Sequence, residues 1–452
     1  MLNRYDVVVV GAGTGGCMTA KTLASAGLSV CLVDRKDEKA IGLKVCGDAV
    51  GKHHFDNLGL AYPSGKEKEG DISGIKIYSP DLETVFRIMG EGLTGFMINR
   101  YRFGQRLLKE ALNAGAVLYD STHVFSPIVN DGYVKGVKAR NLKDSTVTEI
   151  TGKVTVDASG VSAIVRSKLP PEMKIESTIN KQDRVVCYRE IRELNVQLDE
   201  PDFCEIYLNL EAAPGGYCWI FPKGRTKVNV GLGVADTGNH PNPRSQLYKH
   251  ILTRPMYEGS TVVHGGGGIV PTRRPLDSLV GNGVVLVGDS GCQVNPIHGG
   301  GIGPSMMGGK IAGEVITQAL EAGKPSRENL WPVNVRFMKA YGAKQAGLDV
   351  FRIFLQRLSN SELNYGMRYQ LIKEEDILKA SMGEDIRLNV TDSARRIFKG
   401  LGRLSFLRSL YNMARTVKKV KQLYEEYPTT PKDMPKWKNK IVELFAEAKR
   451  TL

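Results

Sequence analysis

Cysteine, histidine and tryptophan are scarce in this chain: seven, seven and three in 452 residues. The cysteines are odd in number and contain no CxxC pair, so a disulfide framework is excluded and a reducing compartment, the cytosol, is expected. The histidines are too scattered for metal-ligand spacing, and no metal is expected. No run of eighteen apolar residues occurs, so no helix is expected to cross a bilayer. The sequence enters an apolar strand almost at once (YDVVVV, 5–10), which leaves no room for a signal peptide. Internal repeats and low-complexity tracts are lacking too.

What the chain has in excess is glycine, 50 residues, and positive charge, +14 net. Its length calls for two or three domains. Residues 391–452 hold 15 Lys or Arg against 6 Asp or Glu, a distribution that suits a phosphate-bearing ligand or an acidic membrane surface. No basic strand interleaved with aromatics supports nucleic acid as the partner.

The glycines gather at three strand ends. VVVVGAGTGG (7–16) reads as a buried strand entering a turn in which Gly11, Gly13 and Gly16 fit GxGxxG, with Gly15 inside the motif. A helix closed by Gly27 follows, and a second strand ends at Asp34, eighteen residues after Gly16. The first glycine allows the turn, the second lets backbone approach a pyrophosphate, and the third lets helix meet strand. Phosphate charge then sits at the helix N-terminus and Asp34 accepts from ribose hydroxyls. VTVDASGVSAIVR (154–166) is a second such end, with Asp157, Gly160 and a helix start from Ser162 to Arg166. GVVLVGDSGCQVNPIHGGGIG (283–303) is the third, with Asp289 and then Gly299, Gly300, Gly301 and Ile302 opening a long helix. Backbone N–H groups there can meet phosphate and ring carbonyl oxygens.

A further stretch, YCWIFPKGRTKVNVGLG (217–233), alternates Tyr217, Trp219 and Phe221, which places the three rings on one face of a strand. Pro222 stops that strand and Val228 to Val234 returns. Read from the residues alone, such a face is core packing or the wall of an apolar chamber.

The order GxGxxG, then DxxG with SxxxR, then GD with a glycine-rich helix start is similar to the p-hydroxybenzoate hydroxylase class of flavoproteins. That resemblance implies FAD, a discontinuous nucleotide domain and a β-sheet substrate domain. It also implies roles for Arg100 (MINRYRFGQRLL), opening a helix near the phosphates, and for Val124 beside the nucleotide. Within the class, KVCGDAV (44–50) resembles the Cys-Gly segment of geranylgeranyl reductases. So does Phe221-Pro222 followed, after eight residues, by Gly231-Leu232-Gly233. The resemblance covers roughly 1–320. It implies Val45, Cys46, Gly47 and Ala49 along the flavin, with Cys46 the catalytic candidate as a shaping group or proton relay. Tyr217, Trp219, Phe221, Pro222, Gly231 and Gly233 would then line an isoprenoid slot.

The expected architecture is α/β. A Rossmann-type FAD-binding domain is formed by 1–52, 95–168 and 280–325, an antiparallel β-sheet substrate domain by 53–94 and 169–279, and a helical region by 326–452. Residues 71–90 alternate like a hairpin of that sheet, and GGGGIVP (265–271) is expected to return the chain to the FAD-binding domain. The implied activity is saturation of isolated double bonds in geranylgeranyl chains, carried by an isoprenoid diphosphate or a phospholipid. With one dinucleotide fingerprint only, electrons come from visiting NAD(P)H or a reduced ferredoxin. Candidates for the substrate's phosphate are His53, His54, Arg273, Arg274 and the basic tail. In the last helix Leu404, Leu407 and Tyr411 define an apolar stripe opposite a basic face, suited to the protein body or to peripheral membrane contact. A monooxygenase or halogenase shares the flavin machinery, although no lysine stands where halogenases need one. A non-catalytic basic flavoprotein is the remaining class.

Overall fold

The computed structural model describes residues 4–377 and 404–451. The expected helical pattern over 378–380 and 396–403 falls outside them, and of Leu404 only the backbone is described.

An eight-stranded sheet carries the nucleotide half. Its parallel core is Arg4–Val10 between Val30–Val33 and Val147–Asp157, with Val117–Tyr119 beyond the former and Val284–Leu286 beyond the latter. The central strands are buried on both faces, as apolar runs such as VVVV require. Helix Thr14–Ser25 follows the first strand and packs on helix Ile302–Glu321. A Cβ at Gly309 would meet the Gly15 carbonyl at 2.4 Å, so glycines set this close crossing.

The second sheet has seven strands in the order Thr261–Val270, Val185–Glu193, Lys227–Ala235, Tyr217–Pro222, Phe203–Tyr207, Gly74–Tyr78 and Val85–Met89. All its pairings are antiparallel except Phe203–Tyr207 with Gly74–Tyr78, which is parallel. A small third sheet, Ala49–Gly51, Gly95–Ile98 and Lys68–Ile72, joins the two halves.

Three expectations need correction. The hairpin expected over 71–90 is the pair Gly74–Tyr78 and Val85–Met89, while Asp71 and Ile72 belong to the joining sheet. GGGGIVP is not a connection back to the nucleotide domain; its glycines lie inside the exposed edge strand Thr261–Val270. After Asp157 there are two short 3-10 turns, Gly160–Ser162 and Arg166–Lys168, and no helix. The Asp157 carboxylate collects the N–H groups of Ser159, Val165 and Arg166 at 3.1, 3.1 and 2.8 Å, which curls the chain back on itself.

The C-terminal helices Leu404–Glu425 and Met434–Thr451 pack on the body. The buried stripe of the first is Phe406, Leu410, Met413, Val417, Val420 and Tyr424, one register away from the expected one; Leu407 is half-buried and Tyr411 exposed. Trp437 of the second donates from Nε1 to the Leu423 carbonyl at 2.8 Å. Among the described residues no helix is long and apolar enough to cross a membrane.

Candidate active site

The three glycine-rich strand ends converge on one side of the first sheet. Gly11 turns with φ +103°, and a Cβ there would strike the Ala158 carbonyl oxygen at 2.4 Å. Gly16 lies against the Gly11 carbonyl at a hypothetical 1.8 Å, whereas a Cβ on Gly13 would meet nothing within 4 Å. The turn is therefore packed at its first and last glycines and open at the middle one, the opening that a pyrophosphate would need. Asp34 accepts from Ala12 N–H at 2.7 Å and Lys36 N–H at 2.8 Å. The Asp34 carbonyl takes the Thr122 N–H at 2.8 Å, which anchors the strand carrying buried Val124 beside it.

Arg100 is the first residue of helix Arg100–Asn113, held by Asn99, whose side chain accepts from Arg102 N–H at 3.1 Å. Its side chain is buried, yet Nε and Nη1 have no hydrogen-bond partner. A buried guanidinium left open, whose charge reaches Cys17 in the helix that follows the glycine turn, fits an anionic dinucleotide. Asp157 behaves otherwise: it is fully buried and its oxygens are engaged within their own loop, so it shapes the turn at Gly160 and does not face a ligand. Asp289 is the carboxylate left facing outward. Lys44 Nζ stands 3.5 Å from it, and Gly160 and Gly301 flank it. Gly299 (φ +69°), Gly300 and Gly301 then lead into the helix at Ile302.

The aromatic strand closes over this floor. Tyr217 donates from its hydroxyl to the His298 carbonyl at 2.8 Å, inside the glycine-rich loop. Phe221 lies against Gly47, where a Cβ would meet its ring at 3.3 Å, and packs with Ala49. Trp219 stands between them, its centroid 6.0 Å from Tyr217 and 6.2 Å from Phe221. The glycines of the returning strand answer these rings. Tyr217 pairs with Gly233 and Trp219 with Gly231, and a Cβ at 231 would strike the indole at 2.5 Å.

A buried polar network that sequence reading missed joins this face to the Cys-Gly segment. Trp219 Nε1 donates to Asn229 Oδ1 at 3.0 Å. Asn229 Nδ2 donates to the Cys46 carbonyl at 2.8 Å and to Asp48 Oδ2 at 3.0 Å. Lys223, 1% exposed, meets Asp48 at 2.7 Å and Glu69 at 2.6 Å, and donates to the Ile98 carbonyl at 3.0 Å. Asp48 itself stands in the left-handed region, φ 64°, and its N–H donates to Cys46 Sγ at 3.4 Å. Burial first, then the Asp48 charge, pushes the Cys46 thiol above its ordinary value of 9.0, so it keeps its proton at neutral pH. The signal for this network was a lysine just past the end of one apolar strand (FPK) and an asparagine inside the next (VNV).

The cations expected to hold a phosphate are placed elsewhere. Arg273 pairs with Glu176 at 2.9 Å. Arg274 pairs with Asp277, takes part in a hydrogen bond to Tyr424 at 3.1 Å and lies over Phe445. Arg274 thus serves the joint with the C-terminal helices, while Arg273 is held by Glu176 and the Arg274 carbonyl. His54 packs on Gly303 and its Nδ1 is 3.0 Å from the Tyr341 hydroxyl; burial pushes it down to about 3, so it carries no charge. His53, its ring tilted against that of His54 with centroids 4.0 Å apart, is pushed down in the same way.

Comparison with known proteins gives the following. Residues 183–270 match the family model "geranylgeranyl reductase catalytic domain", and residues 6–205 match that of "lycopene cyclase protein". The chain is 44% identical over 451 residues, 99% of each chain, to the digeranylgeranylglycerophospholipid reductase of Sulfolobus acidocaldarius. It is 34% identical over 391 residues, 85% of this chain and 95% of the relative, to that of Methanothrix thermoacetophila. Among solved structures, a geranylgeranyl bacteriochlorophyll reductase-like protein from Thermoplasma acidophilum superposes with a TM-score of 0.75 at 23% identity, covering 91% of this chain and 99% of that one. The myxobacterial FAD-dependent chondrochloren halogenase does so with 0.64 at 17% identity, covering 93% and 96%.

Proposed function

The chain belongs to the digeranylgeranylglycerophospholipid reductase family, and from that premise we propose that it is an FAD-dependent reductase of the isolated double bonds of geranylgeranyl chains. The observation that carries this reading is the closure of the aromatic strand on the Cys-Gly segment, through Phe221 on Gly47 and Trp219–Asn229–Cys46.

Gly11, Gly13 and Gly16, Asp34 and Arg100 would hold the FAD pyrophosphate and ribose, with Asp289 and Gly299 to Ile302 at the flavin end. Bound there, reduced flavin supplies hydride. The chain's own residues bind, orient and protonate. An isolated alkene offers no carbonyl to polarise and no group to hydrogen-bond, so apolar area and shape must hold it, at ~25 cal/mol per Å2 buried. Residues opposed in a sheet share a face. From Trp219 an apolar row crosses Ile206, Ile77 and Phe86, three strand spacings or about 14 Å. It ends where Met367, Leu93 and Ile377 pack against Phe86 and its neighbours. The hydrocarbon lies along this row, with its reacting bond beside Cys46. The raised thiol of Cys46 keeps a proton at the alkene carbon opposite the hydride, and Asp48 N–H together with the doubly held Cys46 carbonyl fixes where that thiol points.

The electron donor is a nicotinamide or a small reduced protein visiting the site. Exposed Arg415, Lys418, Lys436 and Lys440 on the C-terminal helices suit an anionic bilayer surface, from which a lipid substrate would be drawn. The test is anaerobic. Chemically reduced enzyme is mixed with geranylgeranyl substrate and the product is weighed by mass spectrometry. A gain of two hydrogens per double bond without oxygen is expected; no gain without oxygen but an oxygenated or halogenated product in air overturns the proposal.

A further inference from the structure

Arg189 is a cation in the chamber that meets no anion. It is 3% exposed. Its Nε donates to the Cys46 carbonyl at 3.1 Å, and its Nη1 meets Nδ1 of His264 at 2.7 Å and the His264 carbonyl at 3.4 Å. None of these is a carboxylate. The buried arginines 273, 274 and 352 are each answered by Glu176, Asp277 or Asp349, but no ion pair among the described residues includes Arg189, nor the buried Arg100 and Arg166 of the nucleotide half. A guanidinium withdrawn from water without a counter-charge is unfavourable, and a ligand that brings the charge relieves it.

The surroundings are built to keep this group at the reacting end. Arg189 pairs with Gly231 on one neighbouring strand and Gly266 on the other. A Cβ at Gly231 would strike Trp219 and one at Gly266 would strike Val45 at 2.8 Å, so the indole and the Cys-Gly segment lie down on the sheet on either side of the arginine. His264, on the exposed edge strand, stands between it and solvent. Burial and then the Arg189 charge hold the His264 ring below its ordinary value. The Asp48 carboxylate, which is already paired with Lys223, offsets part of this, and a bound anion would offset more. In a phosphate ester of an allylic isoprenoid alcohol, the double bond nearest the head is two bonds from the ester oxygen. Bringing that alkene beside Cys46 therefore brings the phosphate within reach of whatever cation adjoins Cys46.

We propose that Arg189, assisted by His264, is the anion site of the chamber and takes the phosphate ester at the head of the isoprenoid substrate. The chemical class rests on the reductase reading; the existence of an anion site does not. The first experiment accordingly needs no turnover: FAD-loaded protein is titrated calorimetrically with inorganic pyrophosphate. Saturable binding is expected, weakened at least tenfold in Arg189→Gln, recovered in part in Arg189→Lys, and weakened severalfold in His264→Gln, whose exposed position spares the fold. Wild-type protein that does not saturate, or Arg189→Gln that binds as tightly, overturns the site. The second experiment compares KM for geranylgeranyl diphosphate, whose phosphate sits on the allylic carbon, and the free alcohol geranylgeraniol. The Arg189→Gln loss is expected to fall at least tenfold harder on the diphosphate than on the alcohol. Equal losses refute the head-group assignment and leave Arg189 as a positioning residue for the Cys46 loop. Pyrophosphate binding without any alkene reduction would sink the reductase reading and leave the anion site standing.

Discussion

Substituting Gly231 by alanine tests the aromatic face without removing a functional group. The added methyl would sit 2.5 Å from Trp219 Cζ2, 2.5 Å from Arg189 Cβ and 2.7 Å from the Tyr188 carbonyl. Carbon atoms in contact lie about 3.5–4.0 Å apart, so the indole edge must retreat by ~1 Å. Arg189 Cβ and the Tyr188 backbone belong to the strand paired alongside and cannot retreat as far. The overpacking costs about 1–3 kcal/mol of stability. It also strains the Trp219–Asn229 hydrogen bond of 3.0 Å, through which the indole is tied to Cys46. Displacement of ~1 Å at a reacting centre costs on the order of 100-fold in rate. Steady-state turnover, normalised to bound flavin by absorbance, should fall by about that factor while flavin content stays normal. Gly268→Ala is the control. It lies on the edge strand of the same sheet, its Cβ would meet nothing within 4 Å, and turnover should not change. If Gly231→Ala keeps turnover within twofold of the parent, the indole does not set the geometry of the reaction and the reasoning fails.

Further outcomes are expected. Arg100→Met removes a buried guanidinium whose Nε and Nη1 lack partners, so the apo protein should melt no lower while FAD binds at least tenfold more weakly, at about 1.5–3 kcal/mol per lost charged hydrogen bond; unchanged FAD affinity in a fluorescence titration would remove Arg100 from the phosphate site. Cys46→Ser should lower turnover with normal flavin content, and iodoacetamide labelling of Cys46 should stay slow at pH 8 and quicken only above the ordinary thiol value of 9.0; full turnover in the serine variant ends the relay role. His54 has its folded value pushed down to about 3 from 6.5, so the unfolded chain binds the extra proton first, and stability present at pH 7 is lost as pH falls below 6.5. That loss is about 1.4 kcal/mol per pH unit, and His54→Gln should flatten the denaturant midpoint between pH 6.5 and 4.5. Reversing Arg415, Lys418, Lys436 and Lys440 to glutamate should abolish sedimentation with anionic vesicles while leaving turnover on detergent-dispersed substrate intact.

Much of the nucleotide half was legible in the sequence because glycine positions there are dictated by backbone contact. Gly11 and Gly16 stand where spacing put them, and helix Arg100–Asn113 opens at the arginine that the family resemblance implied. The G-x-G at 231–233 was legible as a pattern but not as a cause, since the cause is the ring on the neighbouring strand. The Asp157 loop was misread because spacing reveals a carboxylate but not which way it turns. The Lys223–Asp48–Asn229 network was invisible because its members lie far apart in the chain and meet only when two sheets close. The stripe of helix Leu404–Glu425 was read one register off because its flanks carry apolar residues too, and only the surface it meets decides which are covered.

The joint between Arg274, Asp277 and Tyr424 bears on how the enzyme would meet its surroundings. The cationic helices are not a leash. They are bolted to the chain segment that leads from the seven-stranded sheet to the nucleotide strands, with Tyr427 donating to the Asp277 carbonyl at 2.7 Å and Trp331 to that of Pro428 at 2.8 Å. Were those lysines to settle on a negative surface as proposed, the angle between that surface and the proposed substrate site would be fixed by the interior of the protein. A docked molecule would therefore present the same opening to the lipid layer each time it lands.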